Sequence, residues 1–169
     1  IRNILYIFIC ILISFTSIAG VEDRPPFSTD PVLNDGKRWR IGYYEGGEYT
    51  DYQKEFSASV KGLMKLGWIE EQMFPAQQGE NTDLLWEWLA TQIKSDYIEF
   101  VSNAYYSAGW NEKLRKQHSA EVIDRLNNKQ DLDLILAMGT WAGKDLANDR
   151  HTTPTLVLSA SDPLAAGII

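Results

Sequence analysis

Six residues, Gly139-Thr140-Trp141-Ala142-Gly143-Lys144, make the nearest approach in this chain to a phosphate-binding loop. Such a loop places four residues between its glycines so that backbone N–H groups can cradle a phosphate. It also follows its lysine with Ser or Thr to hold magnesium. Here three residues separate the glycines and Asp145 follows the lysine, so the nucleotide reading fails. Two compatible readings remain. Thr140 caps a helix while Gly143 lets that helix pack closely on a sheet, or Thr140 also meets a ligand. A helix start offers free N–H groups and partial positive charge, which suit a carboxylate.

Asp162-Pro163 is open in the same way. The pair reads as a tight turn, with Asp accepting backbone hydrogen bonds and Pro fixing the next step. It also reads as a carboxylate aimed into a cleft at a cationic group. No G-x-S-x-G nucleophile elbow occurs in the chain, which argues against a Ser-His-Asp hydrolase. His118 falls on an apolar helical stripe with Leu114, Val122 and Leu126 and reads as packed and satisfied, whereas His151 reads as an exposed loop residue. Two histidines give little from which to build a metal site. No catalytic residue, metal site or cofactor is assigned, and the chain is read as a non-enzyme.

Aromatic residues cluster more suggestively. Tyr43, Tyr44, Tyr49 and Tyr52 surround one glycine-bearing loop, Tyr105, Tyr106 and Trp110 follow another segment, and Trp141 follows a third. Each one alone reads as core. Jointly they describe a largely apolar, stacking cleft with a few polar anchors, which is how small-molecule sites are built.

The elements that must position these residues follow from periodicity. Apolar runs predict strands at 39–44, 97–101, 134–138 and 155–158. Helical spacing of Tyr52, Phe56, Val60, Leu63 and Met64 predicts a first helix, opened by a Thr50-x-x-Gln53 capping box and closed at Gly67. Further helices are expected at 82–94, at 112–127 and from Thr140. This alternation predicts an α/β fold, a parallel sheet with helices on both faces. Ligands of such sheets sit beyond the carboxyl ends of the strands.

At 169 residues, 44% of them apolar, the chain has enough material for one packed domain. A net charge of −7 argues against nucleic acid as a partner. Arg2, the apolar run 4–13 and the small residues Ser17, Ala19 and Gly20 predict a secretory signal peptide at 1–20. Its cleavage would leave a protein that is not membrane-spanning. Cys10, the only cysteine, lies inside that segment, so the mature chain would suit an oxidising compartment without needing a disulfide. Residues 21–38, rich in Pro, Asn, Asp and Gly, read as a linker or extended arm.

Four segments, Arg40 to Tyr44, Gly62 to Glu70, Asp133 to Thr140 and Pro154 to Ile168, resemble the bacterial ABC-transporter substrate-binding proteins related to the tryptophan- and tyrosine-binding members. The resemblance implies that residues 39–169 are the N-terminal α/β lobe of a type I periplasmic-binding-protein fold. It also implies a C-terminal lobe beyond this sequence, which reads as an N-terminal fragment. The implied function is extracytoplasmic, periplasmic binding of a small solute, an amino acid or aromatic zwitterion, in an interlobe cleft, with delivery to a membrane permease. A ligand-sensing domain of a signalling receptor is the alternative. The ligand-facing positions carried over are Tyr44 and Glu45, Gly139, Thr140 and Trp141, and Ser159, Ser161 and Asp162, with Tyr49 beside them. The chain departs from the family between Phe74 and Trp110, where a Trp-rich insertion with an extra helix stands.

Overall fold

The computed structural model describes residues 28–77 and 79–169; the signal segment expected at 1–20 lies outside them. The elements in order are β1 (Trp39–Glu45), α1 (Thr50–Lys65), α2 (Asp83–Thr91), β2 (Ile98–Ser107), α3 (Glu112–Asn128), β3 (Leu134–Met138), α4 (Gly139–Leu146) and β4 (Thr155–Leu158). The four strands form one parallel sheet in the order β2-β1-β3-β4. The expected α/β class, with a parallel sheet covered on both faces, is what the chain adopts.

Alternation along β1 divides the core. Ile41 and Tyr43 point to one face, where Tyr52, Phe56 and Val60 of α1 and Leu85, Trp86 and Leu89 of α2 pack. Tyr44 points to the other, against Val122 and Leu126 of α3 and Ala142 and Leu146 of α4. The chain leaves β1 for one side of the sheet and returns across it to β3. The crevice between the carboxyl ends of β1 and β3 is therefore the topological switch point, where ligands of open α/β sheets bind.

Helix ends follow local chemistry, with two corrections. Gly67, at φ +75°, closes α1 in a Schellman arrangement: its N–H reaches the Met64 carbonyl and the Trp68 N–H reaches that of Leu63. The capping box at Thr50 does not form. Tyr49 holds the N-cap position, and the Thr50 hydroxyl bonds Glu80 instead. Nor does Thr140 cap α4; Met138 occupies that position and no side chain caps the helix. Gly143 lets α4 pack closely on the sheet as expected, since a Cβ there would meet the Val157 side chain of β4 at 3.0 Å, and that of Ile168 at 2.7 Å.

Strand β2 is the largest departure. It continues to Ser107, well past the expected end at Val101. Its pairing with β1 is irregular: Ile41 stands opposite Phe100, but Tyr43 stands opposite Tyr105. Extra residues in a strand reverse which face later side chains take. Phe100 and Tyr105 consequently share the α1/α2 face, while Ala104 and Tyr106 lie on the other.

The described part of the arm at 21–38 is tied down. Asn34 and Lys37 exchange backbone hydrogen bonds across Asp35 and Gly36, both at positive φ. Two indoles also hold it, Trp39 bonding the Val32 carbonyl and Trp68 that of Thr29, each at 3.0 Å. His151, expected to be exposed, is 9% exposed and its Nε2 bonds the Leu146 carbonyl at 2.7 Å. His118 packs edge-on against Tyr106 as expected, but its Nδ1 has no partner. Among the described residues no helix is long and apolar enough to cross a membrane.

Candidate functional site

Glu45, the last residue of β1, is 0% exposed and stands at the floor of the switch-point crevice. Tyr43 and Thr82 donate hydrogen bonds to its Oε2 at 2.8 and 2.9 Å. Ser107 and Tyr105 donate to its Oε1 at 2.8 and 3.3 Å. No cation accompanies these four hydroxyls among the described residues. Burial therefore raises the carboxyl's pKa, and the four donors pull it back only in part. Tyr43 and Tyr105 are raised in turn, first by burial and then by the Glu45 charge. The irregularity in β2 is what brings Tyr105 and Ser107 to this face.

Glu45 also anchors the loop above it. Three successive residues before α2 meet that loop: Thr82 bonds Glu45, Asn81 turns its amide nitrogen to the Glu48 carboxylate, and Glu80 bonds Thr50. From the other side, Ala108 N–H reaches the Glu45 carbonyl, Trp110 N–H the Gly46 carbonyl and the Trp110 indole the Glu48 carbonyl. The segment between Phe74 and Trp110 thus clamps the 45–50 loop on both sides.

Above the clamp runs a line of four rings. Tyr49 meets Tyr52 edge-on at 5.2 Å, Tyr52 lies 6.3 Å from Trp110, and Trp110 meets Trp141 edge-on at 5.5 Å. Tyr49 and Trp110 remain 46% and 47% exposed, unusually open for aromatics held this firmly. Trp110 sits at φ +61° and Ser159, at the end of β4, at φ +58°. Non-glycine residues in that region carry strain, and such strain clusters at binding sites.

Behind the rings, the Arg115 guanidinium lies 4.4 Å over Trp141 and forms a two-pronged pair with Asp145 at 2.7 and 2.8 Å. Tyr44 donates its hydroxyl hydrogen to the same carboxylate at 2.9 Å, with the Arg115 carbonyl a second acceptor within reach at 3.2 Å. Burial and the Asp145 charge raise the Tyr44 pKa. The hydrogen bond to Asp145 raises that of Arg115.

The positions carried over from the resemblance fall into three groups. Tyr49, Gly139 and Trp141 are linked at the crevice through Tyr52 and Trp110, with Thr140 half-buried beside them. Tyr44 faces the opposite side of the sheet, and Glu45 lies sealed beneath the crevice. Ser159, Ser161 and Asp162 begin one strand away, where Leu158 pairs with Met138. Asp162 is exposed and accepts the Ala165 N–H at 2.9 Å, the turn-forming role that its sequence context predicts.

Sequence reasoning grouped Tyr52 and Trp110 with the aromatics of these strand ends without assigning them ligand contact. It missed Thr82, Ser107, Arg115 and Asp145. Tyr43-x-Glu45, which puts a phenol and a carboxyl on one face of a strand, was the only local signal. No group of three His, Cys, Asp or Glu side chains among the described residues is arranged to hold a metal. No protein-family model, curated protein or solved structure matches the chain.

Proposed function

We propose that the chain is the solute-binding lobe of an extracytoplasmic, ABC-type transport protein of the type I periplasmic-binding-protein kind. Its ligand is a small amino acid or aromatic zwitterion, taken up against the carboxyl edge of the sheet and passed to a membrane permease. The observation that carries this reading is the pairing of exposed, clamped aromatics, Tyr49 and Trp110, with the uncapped helix start at Gly139-Thr140-Trp141. The rings offer stacking area at low conformational cost and the helix start offers donors to a carboxylate. Both stand at the switch point, where the fold favours binding.

Calorimetric titration of the protein with L-tryptophan, L-tyrosine and L-phenylalanine tests the reading. At least one should bind, and Trp110→Ala should weaken that binding tenfold or more, as loss of a central aromatic anchor does. Absence of binding by all three would contradict the assignment of ligand class. Unchanged affinity in Trp110→Ala would remove the crevice from it.

A further inference from the structure

We infer that Arg115 is a positioning residue for the crevice: its guanidinium fixes the Trp141 indole, and through that ring it steadies Trp110. Its effect on affinity rests on the solute-binding reading, whereas the placement of the ring does not. Three elements meet here. Arg115 lies one turn into α3, whose start the Asn111 side chain caps by accepting the Leu114 N–H at 3.0 Å. Trp141 and Asp145 stand four residues apart on α4, a spacing that puts both on one face. Tyr44 reaches them from β1.

The guanidinium meets two partners at once. Its central carbon stands 4.4 Å over the Trp141 ring. Its Nε and Nη2 donate to the two Asp145 oxygens at 2.7 and 2.8 Å. A planar fork can pair through its edge while a face rests on a ring. A lysine ammonium, a point charge on a flexible stem, cannot do both. The fork is itself anchored, because the Tyr44 hydroxyl donates to Asp145 at 2.9 Å. With the Arg115 and Asp145 side chains 20% and 14% exposed, water and salt screen the pair little.

The ring so held belongs to the crevice. Trp141 is half-buried, and its edge-on neighbour at 5.5 Å is Trp110, one of the two open anchors. Both indoles press on one backbone position. A Cβ on Gly46 would stand 3.1 Å from Trp110 Cζ3 and 3.2 Å from Trp141 Cε3. Turning the Trp141 indole therefore disturbs Trp110 as well. A ring held in place before association spares the cost of immobilising it on binding. The fork between Arg40 and Asp133 offers a contrast. It has nearly the same geometry, at 3.0 and 2.8 Å, but no aromatic ring lies under Arg40 among the described residues.

The test compares Arg115→Lys with Arg40→Lys in protein whose indoles carry nitrogen-15, the Trp141 signal being assigned with Trp141→Phe. Arg115→Lys should shift and broaden the Trp141 indole N–H resonance and diminish the near-ultraviolet dichroism of the Trp110–Trp141 pair. It should also weaken the best-bound of L-tryptophan, L-tyrosine and L-phenylalanine about three- to tenfold, the cost of one side chain no longer pre-ordered. Arg40→Lys should leave all three readouts as in the wild type, even where it lowers the melting temperature. If Arg115→Lys does not fold, Asp145→Asn, which keeps the guanidinium but loosens its fork, must give the same indole change. An unmoved Trp141 resonance in the folded variant overturns the inference. So does equal weakening of the ligand by Arg40→Lys, or a changed resonance with unchanged affinity. If none of the three amino acids binds the wild type, the solute reading falls, and the Trp141 resonance alone decides whether Arg115 sets the ring.

Discussion

Gly47 passes so close to Trp110 that a Cβ on it would stand 2.6 Å from the Trp110 backbone nitrogen and 2.8 Å from the indole. The indole also bonds the Glu48 carbonyl, and its backbone bonds that of Gly46. Trp110 is thereby held in a left-handed conformation that its bulk disfavours, with about half its surface open. Gly47→Ala should cost about 1–3 kcal/mol, the range for overpacking a tight contact. It should also alter the near-ultraviolet circular dichroism of the coupled Trp110–Trp141 pair. Denaturant melts and dichroism spectra check both; an unchanged spectrum would contradict the clamp.

Glu45 makes stability depend on pH in the direction opposite to most carboxylates. Its folded-state pKa is raised above the ordinary value of 4.5. Its contribution is therefore fully present below that value and is lost as pH rises through the folded-state pKa. Within the window the slope can approach 1.4 kcal/mol per pH unit. Glu45→Gln should remove this slope, so the variant gains on the wild type as pH rises from about 4.5. Parallel stability curves for the two proteins would show that Glu45 carries no such penalty.

Asp133 predicts the opposite sign. It accepts from Arg40 Nε at 3.0 Å, Nη2 at 2.8 Å and the Arg40 backbone N–H at 2.8 Å. These bonds lower its pKa below the ordinary 3.8, the Arg40 side-chain bond first. The stability it supplies is present above 3.8 and disappears as pH falls through the folded-state value. Asp133→Asn should cost about 1–2 kcal/mol at neutral pH and little at the acid end. A cost that does not shrink on acidification would count against the pairing.

Ser159 holds φ +58° at the end of β4. Relieving that geometry with Ser159→Gly should stabilise the protein by about 0.5–1 kcal/mol, the left-handed cost less the extra freedom of glycine in the unfolded chain. Thermal melts decide the sign.

The fold was largely legible because the strands at 39–45, 134–138 and 155–158 are short apolar runs, and helix spacing between them is regular. β2 was only half legible. Its second part, Ser102 to Ser107, mixes polar and aromatic residues because the irregular pairing with β1 exposes Ser102 and Asn103 and reverses the faces beyond them. Capping signals misled at Thr50 and Thr140, where a tertiary partner and an uncapped turn overrode local preference. The Glu45 cluster could not be read at all beyond Tyr43. Its partners Thr82, Tyr105 and Ser107 stand 37 to 62 residues away, and only the folded sheet brings them together.

Amide shift mapping with an aromatic amino acid tests most directly the claim that the carboxyl edge at the β1/β3 crevice is the binding face. The account predicts saturable perturbations at Gly46 to Tyr49, Gly109 to Trp110 and Gly139 to Trp141. Residues of the opposite edge, Asn34 to Arg40 and Gln130 to Asp133, should stay still. Shifts concentrated at that amino edge, or in the open groove that Met64, Trp68, Glu70, Lys94 and Tyr97 line beyond the end of α1, would contradict it.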